Sequence, residues 1–146
     1  MKLLLQRVSQ ASVDVAGQQV GAIGGGILAL AGFEREDDEL QVSRLTERML
    51  NYRMFADAAG KTNLSVRDIA GGVLLVSQFT LAADTGRGLR PGFSRAAEPQ
   101  RAKALYLVML EQLRQEVDIQ VASGVFGADM QVTLINDGPV TFLLEG

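Results

Sequence analysis

The chain contains no cysteine and no histidine. Without cysteine there is no disulfide framework, thiol nucleophile or thiolate metal site. Without histidine there is no Ser-His-Asp arrangement, no imidazole acid or base and none of the usual zinc sites. Chemistry near neutral pH must then use Ser, Thr, Lys, carboxylates, backbone dipoles or groups on the substrate itself. Long hydrophobic runs are missing too, since no stretch reaches the ~18 apolar residues of a membrane-spanning helix. The apolar stretch Leu3-Leu4-Leu5 runs into Gln6 and Arg7 with no small-residue cleavage site, which is unlike a signal peptide. A cytosolic location is expected. The net charge is −3, and a protein that grips a long nucleic-acid backbone is normally basic. A local contact with an RNA end stays open.

What is present suits one domain spanning residues 1–146. The chain is 47% apolar, and a chain of this length buries roughly two-thirds of its unfolded surface. Residues 2–8 and 11–15 read as strands, and Ala16-Gly17 turns the second into a hairpin with residues 18–23. Gly24-Gly25-Gly26 lacks the Lys-Ser/Thr of a phosphate loop and marks a turn before the apolar strand 27–31. Val42, Leu45, Met49 and Tyr52 recur at helical spacing, and the acidic run 36–39 ahead of them suits a helix N-terminus better than a metal site. Pro99 starts a second helix, with Ala102, Leu105, Tyr106, Met109 and Leu113 on its core face. Strands are expected at 117–121, 131–135 and 140–144, the last two joined by a turn at 136–139. The fold class is α+β: a curved, largely antiparallel sheet or partial barrel with two main helices packed on it.

Two stretches carry the chemistry. Residues 73–80 read as one buried strand ending in Ser77-Gln78-Phe79-Thr80. Strand alternation would put Gln78 and Thr80 on one face and Ser77 and Phe79 on the other. Their amide, hydroxyls and free N–H groups could hold a carbonyl oxygen as it gains charge; taken alone, they could simply close a strand. The second stretch is Gly138-Pro139, where a bond to proline can be cis and glycine allows close backbone approach. Taken alone, it is an ordinary turn. Arg87, Arg90 and Arg95 share the one locally basic loop, which is either a solvated connection or a contact for phosphate or carboxylate.

Five stretches taken together resemble the D-aminoacyl-tRNA deacylases over essentially the whole chain. They are Leu5-Gln6-Arg7-Val8, Asn63-Leu64-Ser65, the segment from Val76 to Leu81, Phe126-Gly127-Ala128-Asp129-Met130, and Asn136-Asp137-Gly138-Pro139-Val140-Thr141. The resemblance implies a homodimer that hydrolyses the ester between a D-amino acid and the terminal adenosine of tRNA. It implies that Gly138-Pro139 is cis and polices chirality in the partner's pocket, with Arg7 bracing it. It places Ser77, Gln78, Phe79 and Thr80 in that pocket, with N–H groups near Phe79 and Thr80 on the ester carbonyl. Phe126, Gly127, Ala128 and Met130 would seat the adenosine. A backbone wall cannot reject glycine, so activity on glycyl-tRNA, including glycine on tRNA for alanine, is expected. Thr80 as nucleophile and water assisted by the ribose hydroxyl are the two routes, and the second needs no protein base. No cofactor or metal enters this expectation, and DNA and membranes are not expected partners. The alternative is a non-catalytic module binding an RNA end or small ligand; a further one is a dimeric structural protein.

Overall fold

The computed structural model describes residues 1–86 and 88–146. Its organising element is β1 (Lys2–Val15), a single 14-residue strand where two had been expected. One edge of β1 is shared by two antiparallel neighbours. β3 (Gly26–Gly32) pairs with residues 2–8 and β2 (Gln18–Ile23) with residues 11–15. The other edge pairs along its length with β8 (Gln131–Glu145). β6 (Gly72–Ser77) then adds in parallel to β3, and β7 (Gln120–Ser123) in parallel to β6.

The sheet curls until β2 returns over β7. A Cβ on Gly21 would lie 2.7 Å from the Ser123 carbonyl oxygen, and Gln120 Nε2 donates to the Ala22 carbonyl at 3.3 Å. The result is a mixed, nearly closed barrel with helices on one side, matching the expected α+β class. β3 and β6 are buried on both faces, which is why their sequences are continuously apolar rather than alternating. Leu28, Leu74 and Val76 fill the inside with Val8, Val13 and Ile23. Ile27, Ala29, Val73 and Leu75 face the helices α1 (Glu39–Leu50) and α2 (Pro99–Arg114).

The acidic run before α1 acts as a cap. Asp38 accepts from the Gln41 N–H at 2.7 Å while Gln41 Oε1 accepts from the Asp38 N–H at 2.9 Å, a reciprocal capping box. Between α1 and β6, β4 (Phe55–Ala56) and β5 (Thr62–Leu64) form a small hairpin. No helix of the described residues is long and apolar enough to cross a membrane.

Three expectations need correction. The strand placed at 73–80 ends at Ser77, and a single 3-10 turn, Phe79–Ala82, follows. Its neighbour β3 stops at Gly32, so after Gln78 N–H reaches the Ala31 carbonyl at 2.7 Å the ladder has no further partner. The strand expected at 117–121 lies instead at Gln120–Ser123, in register with β6, and Val117 is 94% exposed. Residues 131–135 and 140–144 are not a hairpin. They are one strand running along β1, with register shifts opposite Gln6, Val8 and Gln10 that push 137–140 out of the ladder as a bulge.

Candidate active site

The turn after β6 is where the sheet becomes a pocket. Gly32 lets it form, because a Cβ there would sit 2.8 Å from both the Gln78 carbonyl oxygen and Leu81 Cβ. The 3-10 turn therefore folds directly onto the end of β3. N–H groups at the start of such a turn have no acceptor inside it, and those of Phe79 and Thr80 have no hydrogen-bond partner among the described residues.

Beneath this turn lies a cavity of about 470 Å³. Ser77, Gln78 and Phe79 form one side, and Phe126, Gly127, Ala128 and Met130 form another. Ala97, Pro99 and Ala102 close it from the start of α2. The structure thus gathers residues about 50 positions apart in sequence into one apolar-walled site. Strand alternation does not govern the placement of Gln78, Phe79 and Thr80, which lie beyond the strand end. Thr80 is exposed at the rim rather than in the lining, and its Oγ1 accepts from Gln78 Nε2 at 2.5 Å. A carboxamide is no base, so nothing in this contact draws a proton from the hydroxyl.

Tyr106, which helical spacing places on the core face of α2, also supports the site. Its hydroxyl donates to the Leu75 carbonyl at 3.1 Å, and its ring packs against Phe126 with centroids 5.7 Å apart. Burial raises the phenol above its ordinary pKa, so it remains a neutral donor. Helical spacing marks the face of Tyr106 but cannot show that its far end meets a loop twenty residues on.

A second cluster forms at the β8 bulge. The Gly138-Pro139 peptide is cis, and Gly138 has φ +149°. A Cβ there would meet Val140 Cγ2 at 2.7 Å and an Arg7 nitrogen at 3.1 Å. Arg7 Nε donates to the Asp137 carbonyl at 2.7 Å, and Nη1 to the Met54 carbonyl at 2.8 Å. Asn136 closes the bulge from within: its Oδ1 accepts from the Val140 N–H at 2.7 Å and its Nδ2 donates to Thr141 Oγ1 at 2.9 Å. Gly138 and Pro139 are exposed, and neither they nor Arg7 line the cavity.

The remaining stretches are placed differently. Asn63-Leu64-Ser65 is held locally, with the Ser65 N–H and hydroxyl both donating to Asp68 Oδ2 at 2.8 Å. Those bonds hold the Asp68 carboxyl below its ordinary pKa. In the basic loop, Arg90 is exposed and Arg95 Nη2 lies 3.4 Å from Glu34 Oε1. Arg87 lies outside the described residues. Phe93, not singled out in the sequence, packs on Phe79, which lines the cavity.

Comparison with known proteins shows the family and the fold. Residues 4–145 match the family described as D-Tyr-tRNA(Tyr) deacylase. A D-aminoacyl-tRNA deacylase of Azotobacter vinelandii is 59% identical over 145 residues, covering 99% of each chain. One from Citrobacter koseri is 57% identical over the same length, with the same coverage. Among solved structures, a protein named c-Myc DNA Unwinding Element Binding Protein superposes with TM-score 0.93 at 43% identity, covering 100% of this chain and 99% of its own. A probable eukaryotic D-amino acid tRNA deacylase shares the fold with TM-score 0.85 at 17% identity, covering 98% of this chain and 97% of its own. The chain belongs to the D-aminoacyl-tRNA deacylase family.

Proposed function

We propose that this chain hydrolyses the ester linking a D-amino acid to the terminal adenosine of tRNA, working as a cytoplasmic homodimer. The observation that carries the reading is the shared cavity, which sets Ser77, Gln78 and Phe79 against the segment from Phe126 to Met130. An adenosine fits the apolar side formed by Phe126, Gly127, Ala128 and Met130. The ester carbonyl then lies toward the unpartnered N–H groups of Phe79 and Thr80. Those donors stabilise the oxyanion when water adds to the carbonyl carbon. The C–O bond to the ribose breaks, the ribose oxygen takes a proton, and free amino acid and tRNA depart.

The attacking water is assisted by the ribose hydroxyl beside the ester. Two observations favour this over Thr80 as nucleophile: the Thr80 hydroxyl meets only a carboxamide, and no residue lining the cavity titrates near neutral pH. Chirality is judged by the exposed Gly138-Pro139 corner of the second subunit, projecting into this cavity. Main-chain atoms there leave room for a D side chain and collide with an L one. Glycine offers nothing to collide with, so glycyl-tRNA, including glycine on tRNA for alanine, is also a substrate. Arg90 and Arg95, with Arg87 of the same loop, supply the few phosphate contacts an RNA end needs. Charge reversal at Arg90 and Arg95 that left turnover and its salt dependence unaltered would count against that role.

The deciding experiment offers purified protein D-Tyr-tRNA, L-Tyr-tRNA and Gly-tRNA. Repeated release of D-tyrosine and glycine, with L-tyrosine left attached, supports the reading; equal cleavage of both mirror forms overturns it. A binding module without turnover is the second reading, favoured by the name of the 43% identical relative, a DNA Unwinding Element Binding Protein. That module would release amino acid at most once per site.

A further inference from the structure

The role given to Phe79 uses its main chain and leaves its ring without a task. Phe79 is 60% exposed as a residue, and its ring lies against that of Phe93, a residue 39% exposed, with centroids 5.1 Å apart and planes inclined by 45°. An exposed aromatic pair continuous with an apolar cavity, which Phe79 lines, is a candidate contact surface. The loop position of Phe93 is fixed by its backbone: Asp84 and Gly92 exchange two N–H···O bonds of 2.7 and 2.9 Å immediately before it. Arg90 and Arg95 flank it in sequence; Arg95 pairs with Glu34 at 3.4 Å, whereas Arg90 has no ion-pair partner among the described residues.

We propose that Phe79 and Phe93 form a stacking platform for the nucleobase preceding the terminal adenosine, with Arg90 beside the phosphate that joins the two nucleotides. The proposal rests on the functional reading above and extends it by one nucleotide. Flat apolar faces next to a guanidinium are what a base and its phosphate require, and such stacking tolerates any base. The platform is continuous with the cavity, because Phe79 lines the cavity and Phe93 lies against Phe79. A platform of this kind would let the enzyme hold any tRNA by its common end.

A cycle between protein and substrate tests this. Wild type and F93A are compared on D-Tyr-tRNA that is intact, and on the same tRNA lacking the base of its penultimate nucleotide. Each change alone is expected to lower kcat/KM about tenfold, and the two together no further, because they remove the same contact. F93W should keep the intact-substrate rate, whereas F93L, apolar but without a π face, should not. Additive losses, no loss, or rescue by F93L would overturn the platform. Conversion of F93A to monomers in sedimentation would also overturn it, showing that a second copy covers these rings. If wild type releases no amino acid from intact D-Tyr-tRNA, the functional reading fails and takes the platform with it. If wild type is active and the losses simply add, only the platform fails.

Discussion

Arg7 and Asp137 are joined by a 2.7 Å hydrogen bond from guanidinium Nε to the main-chain oxygen, across 130 residues of chain. The same guanidinium holds the Met54 carbonyl at 2.8 Å through Nη1. One planar fork thus ties the bulge in β8 to the segment after α1. The corner carrying Gly138-Pro139 is positioned by a side chain from the opposite end of the sequence.

Replacing Arg7 by Lys keeps the charge but removes the fork, because one ammonium cannot serve two carbonyls in that geometry. Loss of a charge-assisted hydrogen bond is worth roughly 1.5–3 kcal/mol. The expected outcome for R7K is a fall of about ten- to a hundredfold in kcat/KM on D-Tyr-tRNA, together with a smaller ratio of D to L cleavage. An undiminished ratio would mean that Arg7 serves stability alone.

Thr80 accepts a hydrogen bond from the Gln78 amide and faces no base. T80A is therefore expected to retain turnover within about tenfold of wild type, the size of one hydrogen-bond loss at the rim. Mass spectrometry of the wild type under turnover should find no acylated protein. Abolished activity in T80A, with an ester adduct on Thr80 in the wild type, would reverse the assignment.

None of the residues lining the cavity titrates near neutrality. The pH profile of kcat/KM should then lack a protein inflection in the histidine range near ~6.5. The substrate's own α-amino group remains, with an ordinary pKa of about 7.7–8.0. Blocking that amine by acetylation should remove whatever inflection the profile shows. An inflection that survives the block would point to a titrating protein group.

Away from the site, Arg67 binds Glu47 at 2.7 Å and Glu116 at 2.6 Å, linking α1 to the segment after α2. The hydrogen bond from Arg67 is the main cause holding the Glu47 carboxyl below its usual 4.5; partial burial opposes it, and Asn51 adds a smaller lowering. The Arg67 guanidinium is raised and stays charged. Because the folded pKa of Glu47 is depressed, its contribution is present above 4.5 and is lost as pH falls through the lower folded value. Melting temperature should drop on acidification through that window, and more steeply in wild type than in R67M. With these groups part-exposed, the R67M loss near neutral pH should be about 1 kcal/mol. Parallel melting curves for the two proteins would rule the network out as a source of acid sensitivity.

The helices were legible in the sequence because each is a local pattern. Val42, Leu45 and Met49 repeat at 3.6-residue spacing, and Pro99 begins the second run. Strand limits were less so. Ser77 ends β6 because β3 runs out beside it, and no residue in 73–80 records where a neighbour stops. Residues 136–139 carry every mark of a hairpin turn, yet the chain continues straight on. The 14-residue β1 offers a template long enough for both halves.

By itself, the order of residues decided which chemistries were unavailable, which segments are helical, and which short stretches bear functional groups. Only the folded chain decided which of those groups meet. Ser77, Gln78 and Phe79 share a cavity with Phe126, Gly127, Ala128 and Met130, whereas Arg7, itself mostly covered, braces a separate corner whose Gly138 is exposed. Phe93 entered the site only through its contact with Phe79. The reason is that helices and turns follow from neighbours in sequence, while a pocket depends on where a sheet curls and a strand loses its partner. Those are properties of long-range pairing, which no local pattern encodes.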